Sequence, residues 1–193
     1  MTVADARALN WRYLLPEEPD EPVVLDQAAA ALHGRLSDAL TGAPWPALAV
    51  PDLTAWTADS SPRTVLRELA TSVAADGWLC VGFPNRLLPG RSRGAIGLRA
   101  ATSALSAAGL HREGVYLPLP DHRHPAVLVD ARHPGQLDYV FRHTFLSYRP
   151  GTSASAWLGR RLLVVARTVA VRVPHSVRVR FAPAYVVIAR RSP

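Results

Sequence analysis

Residues 64–83, T-V-L-R-E-L-A-T-S-V-A-A-D-G-W-L-C-V-G-F, decide how this chain reads. Leu66, Leu69 and Val73 recur at three- and four-residue spacing with Arg67 and Glu68 turned away, which predicts an amphipathic helix. Asp76-Gly77 is the expected stop, because glycine accepts the left-handed backbone that closes a helix. Trp78 to Phe83 then runs apolar without alternation, the pattern of a strand covered on both faces, as in a parallel sheet. Beyond the turn-rich residues 83–94 a second helix is predicted, with Leu98, Ala101, Thr102, Leu105 and Ala108 on one face and Gly109 past its end. V-Y-L, residues 115–117, starts the next strand. Strand, crossover helix and strand make a βαβ unit, so the expected class is α/β.

These residues resemble a family. L-R-E-L-A-x-x-V-A-A-D-G-W-L-C-V-G-F-P-N, residues 66–85, is similar to the late part of class I S-adenosylmethionine-dependent methyltransferases, where a helix leads through a turn into the fifth strand. A-A-T-S-A-L-S-A-A-G-L-H-R-E-G-V-Y, residues 100–116, resembles their next helix, turn and sixth strand. F-A-P-A-Y-V-V-I-A-R-R, residues 181–191, resembles the closing antiparallel strand. P-L-P-D-H-R-H-P-A-V-L-V, residues 118–129, looks like an insertion found before that strand in some bacterial methyltransferase-like proteins. The resemblance implies one Rossmann-like domain over residues 1–193, shortened at its N-terminal side. Residues 1–22 are a lead-in, and 118–182 are a helical insertion between the last two core strands.

Toward the N-terminus, Val23 to Asp26 is a plausible first strand, followed by a helical run from Ala28 to Leu40. The family carries V-L-D-x-G-x-G-x-G here, because only glycine lets the backbone approach the cofactor. This chain has V-L-D-Q-A-A-A-A-L-H-G. Either the alanine methyls narrow the space for methionine and ribose, or the helix begins earlier and fills it. Asp26 alone matches the motif and is the cofactor-binding residue the resemblance implies; as a plain residue before a helix it reads as an N-cap. Ala47 to Val50 is a short strand framed by prolines. Between it and the first strand there is room for one helix, so the strand whose terminal acid binds ribose hydroxyls has no counterpart. Asp52 and Asp59, in a loop with Trp56, resemble the region that positions substrate, and read from their own chemistry as a solvated turn.

Asn85, past the strand ending at Phe83, lies at the carboxyl end of the sheet, where open α/β folds bind ligands. It stands where related proteins keep an asparagine near substrate, and equally well caps the turn. His122 and His124 flank Arg123 in a proline-held segment. An imidazole there has the chemistry of a general base for an acceptor hydroxyl or amine, and His122 with Asn85 forms the candidate catalytic pair. His122 and His124, with Asp121 beside them, have metal-ligand chemistry but no further ligand at a recognised spacing, even counting His133 and His143, so no metal is expected. Cys80 is the only cysteine, which excludes an internal disulfide and a thiolate cluster and points to core packing.

The net charge of +7 comes with no lysine among the 22 basic residues, which fits coding bias in a GC-rich bacterium better than a specific nucleic-acid partner. The acidic P-E-E-P-D-E-P reads as a solvated linker and the first 22 residues carry no signal-peptide pattern, so a cytoplasmic location is expected. Pro134 to Tyr148 reads as a helix with Leu137, Val140, Phe141 and Phe145 on one side. Ala154 to Val173 reads as a longer apolar helix whose four arginines argue against a transmembrane segment, and which either covers the sheet or docks a protein or peptide partner. Residues 176–181 alternate, and a final strand is expected at Tyr185 to Ala189, inside the sheet.

Two functions follow from the resemblance. A missing glycine loop and a missing ribose acid are independent losses aimed at one ligand. They favour a pseudoenzyme without cofactor, acting as an accessory or binding subunit in a bacterial pathway, such as specialised-metabolite or peptide-modifying biosynthesis. The alternative is an active methyltransferase using S-adenosylmethionine on an oxygen or nitrogen of a small molecule or peptide.

Overall fold

The computed structural model describes residues 14–15, 22–87, 94–119, 122–123, 125, 127–143 and 172–193. Among these residues six strands form one open, mixed sheet: β1 (Val23–Val24), β2 (Trp45–Val50), β3 (Val73–Pro84), β4 (Leu110–Leu119), β5 (Val127–Asp130) and β6 (Ala184–Arg191). Their order across the sheet is β1-β2-β3-β6-β4-β5. β1, β2 and β3 are mutually parallel; β6 is antiparallel to both β3 and β4, and β5 is antiparallel to β4. The last strand in chain order is thus seated between β3 and β4, which run the same way. The apolar run before residue 130 adds an edge strand to what was expected as a helical insertion.

The helices are α1 (Gln27–His33), α2 (Leu36–Ala39), α3 (Pro62–Thr71), α4 (Leu98–Ala107), α5 (Pro134–His143) and α6 (His175–Arg180). α3 starts where Ser61 accepts the Thr64 N–H, with Pro62 in the first turn. It buries Val65, Leu66, Leu69 and Ala70. Alternation along the strands separates two layers. Leu48, Val50, Leu79, Val81, Phe83, Val187 and Ala189 join α1 to α5 in the main core, while Ala47, Ala49, Cys80, Val186 and Ile188 face the other way, under Leu15. Cys80 is therefore a packing residue, and burial pushes its thiol pKa far up.

Several expectations need correction. The run from Ala28 to Leu40 is broken at Gly34, whose φ of 70° ends α1. α3 ends at Thr71, before Asp76-Gly77, and Asp76 rather than Gly77 takes the left-handed conformation, with φ 58°. The pair sits in a bulge of β3, where the register steps from Trp45 opposite Val73 to Ala47 opposite Trp78. Gly77 is needed for a different reason: a Cβ there would come within 2.8 Å of Val73 and 3.0 Å of the Pro46 carbonyl oxygen. Residues 175–180 alternate in sequence yet form α6, whose side chains all remain at least partly exposed. Of the helix expected to Tyr148, α5 reaches His143; the remainder, the Phe141 and Phe145 side chains and nearly all of the 154–173 helix lie outside what is described. Among the described residues no helix is long and apolar enough to cross a membrane.

Gly82 sits under the connection between β4 and β5. A Cβ on it would overlap the Pro51 carbonyl oxygen and lie 3.3 Å from the His122 carbonyl oxygen. Gly82→Ala should therefore destabilise the protein by about 2 kcal/mol through forced backbone shifts, read as a lower urea midpoint with unchanged slope.

Candidate functional site

Ligands of open α/β sheets gather beyond the carboxyl ends of the parallel strands. Here two groups of residues meet at that end, one over β1 and β2 and one over β3.

Over β1 and β2, the chain closes on itself. Asp26 is the N-cap of α1, its Oδ1 accepting the Ala29 N–H at 2.9 Å, and the helix begins at once with Gln27. The helix therefore takes the position where the resemblance implies an open loop. Trp56, almost fully buried, donates its indole N–H to the Leu25 carbonyl oxygen at 3.2 Å and covers the end of β1. Asp52 follows β2 directly and is buried, 2% exposed, not a solvated turn. One oxygen accepts the Thr54 N–H (3.0 Å) and hydroxyl (2.6 Å) and contacts His122 Nε2 (3.1 Å); the other accepts from Arg123 Nε (2.6 Å) and Gln27 Nε2 (3.2 Å). Asp59, by contrast, is exposed as expected.

Burial alone would raise the Asp52 carboxyl pKa. The hydrogen bonds from His122 and Thr54, with the attraction of His122 and Arg123, outweigh it and hold the group well below the usual carboxylate range. A carboxylate so fully coordinated is a clamp. It ties the start of α1, the end of β2 and the β4–β5 connection to one point. His122 is itself buried and spends Nε2 on Asp52, so it is a partner in this clamp. Asp121 and His124 lie outside the described residues, and His133 pairs with Asp130 at the surface. Among the described residues no group of three or more His, Cys, Asp or Glu could hold a metal ion.

Over β3, Asn85 is completely buried. Its Nδ2 donates toward the carbonyl oxygens of Arg180 and Ala182, both at 2.8 Å, and toward the Tyr185 hydroxyl at 3.0 Å, while Oδ1 accepts the Leu87 N–H at 3.1 Å. The Tyr185 hydroxyl points its proton at the Val179 and Arg180 carbonyl oxygens, at 2.8 and 2.9 Å. The Arg180 carbonyl is one that the helix itself leaves unpaired at its C-terminus, while Val179 also accepts the Ala182 N–H. Asn85 and Tyr185 thus cap α6 from the sheet, and burial pushes the Tyr185 hydroxyl pKa up to about 12 despite the Asn85 hydrogen bond. Both Nδ2 protons are thus committed to structural acceptors. Asn85 and Tyr185 form part of the wall of a cleft of about 960 Å³, between the first turns of α3 and α4 and the length of α6.

The structure leaves the two candidate catalytic residues apart: His122 belongs to the Asp52 clamp and Asn85 to the α6 cap. The buried role of Asp52 was missed. Its signal in the sequence was local, an aspartate two residues before Thr54 at the start of the 3-10 turn Leu53–Trp56, which is a capping pattern. Comparison of the chain with protein-family models gives no match, and a search of the curated proteins finds none either.

Asp52→Ala should cost about 3 kcal/mol, because it leaves His122 buried and unpaired. The acid response separates charge from shape. The folded carboxyl titrates below its ordinary value of 3.8, so its stabilisation is complete above that pH and is lost as pH falls further. In urea titrations the advantage of the wild type over Asp52→Asn should hold from pH 7 to about 5 and shrink below about pH 4. Asn85→Ala should lose about 3 kcal/mol through buried carbonyls left unsatisfied, and circular dichroism should show α6 loosened.

Proposed function

We propose that this protein is a shortened relative of the class I methyltransferases that acts by binding, without a functional S-adenosylmethionine site, as an accessory subunit whose partner is a protein or peptide. The order of elements supports the kinship: α3 leads into β3, α4 into β4, and the closing strand β6 is antiparallel between them. The two strands that a complete methyltransferase sheet would place between β1 and β2 in sequence have no counterpart, since α1 and α2 alone fill that interval.

The observation that carries the non-catalytic reading is the self-closure over β1 and β2. In the related enzymes, glycines after the first strand leave room for the cofactor. Here Asp26 is spent on the Ala29 N–H, Trp56 covers Leu25, and Asp52 is held by Gln27, Thr54, His122 and Arg123. Opening this corner for a ligand would break the buried Asp52–His122 contact and the Asp52–Arg123 ion pair and expose apolar surface, a cost that cofactor binding would have to exceed.

Calorimetric titration with S-adenosylmethionine and S-adenosylhomocysteine should give no saturable heat up to about 1 mM, where an intact site would release roughly 8 kcal/mol of binding free energy at micromolar affinity. Saturation in the micromolar range would overturn the reading in favour of an active methyltransferase and call for acceptor screening.

A further inference from the structure

The cleft over β3 collects charge from four separate elements. Arg63 comes from the first turn of α3, Arg86 from the turn after β3, Arg99 from the first turn of α4 and Arg180 from the end of α6, and all four line the same concavity. Each is exposed, and among the described residues none of their guanidinium groups has a carboxylate partner and no acidic side chain lines the cleft. Elsewhere Arg123, Arg132, Arg178 and Arg190 each face an aspartate. Coding bias would account for arginine in place of lysine. It does not explain why four uncompensated ones converge on one cavity, where their mutual repulsion costs stability unless an anion is present.

The backbone adds to this field. α4 starts at Gly97, which has no side chain to cap the helix, and Leu98, Arg99 and Ala100 of the first turn line the cleft. Unpaired first-turn N–H groups favour an anion at that end. Between the charges the wall is apolar, from Leu87, Leu98 and Val179. Arginine forks match phosphate oxygens in pairs, and a mixed cationic and apolar wall suits a ligand with both characters.

We infer that this cleft binds a small organic phosphate, its phosphate held among Arg63, Arg86, Arg99 and Arg180 and its organic body laid against Leu87, Leu98 and Val179. The site is separate from the β1–β2 corner, so it stands whether or not that corner takes a cofactor.

Calorimetry at fixed ionic strength tests it with phenyl phosphate, inorganic phosphate and phenol as probes. Phenyl phosphate should bind saturably and about tenfold more tightly than inorganic phosphate, with no heat from phenol. Arg99→Gln and Arg180→Gln should each weaken phenyl phosphate about tenfold, the loss of one charge-assisted hydrogen bond, and both are exposed positions whose substitution leaves the fold intact by circular dichroism. Arg67→Gln, on α3 outside the cleft, should change nothing. Absence of saturation at about 10 mM, a binding free energy weaker than roughly 3 kcal/mol, would overturn the site. So would an Arg67→Gln effect as large as that of Arg99→Gln, which would mean attraction to net charge alone. Equal affinity for phenyl phosphate and inorganic phosphate would overturn the assignment of an organic body.

Discussion

The fold depends on one insertion: β6 must occupy the gap between β3 and β4. Those strands run parallel and are joined through α4, yet neither pairs with the other; β6 satisfies the facing edges of both along most of their length. Backbone N–H and C=O groups buried without partners are costly, so the sheet is two separate ribbons until this strand arrives. Its residues also supply both layers, with Val187 and Ala189 in the main core and Val186 and Ile188 opposite. Tyr185, one residue into the strand, then secures α6 through its hydroxyl.

Once the sheet is closed, its carboxyl end divides into two regions of opposite character. Over β1 and β2 the polar groups are paired with one another around the buried Asp52, where charge serves structure. Over β3 the arginines remain in solvent around a cleft without acidic neighbours among the described residues. The contrast follows from what each connection delivers. The β4–β5 connection brings His122 and Arg123 onto a lone carboxylate, whereas α3, α4 and α6 bring arginines and no acid to the cleft. Similar side chains thus form a clamp in one place and an anion field in the other.

Much of the framework was legible from residues 63–119, because helix and strand periodicities there are set by local spacing and punctuated by Gly109. The placement of β6 inside the sheet could also be expected from its unbroken apolar run, since a strand buried on both faces needs no polar side. α6 was not legible: Val177, Val179 and Phe181 alternate with arginines as a strand would. The helix forms because Asn85, distant in sequence, and Tyr185, just past its end, donate hydrogen bonds to its terminal carbonyls.

The sequence by itself determined the α/β class, the amphipathic face of α3, the core role of Cys80, and the absence of glycines directly after β1. Each is a matter of local chemistry and spacing. Only the tertiary structure decided that Asp52 is buried, that His122 and Asn85 are spent on structural contacts, and that Arg63, Arg86, Arg99 and Arg180 surround one cleft. Burial and charge pairing depend on which distant segments share a space, and no periodicity within a single segment carries that information.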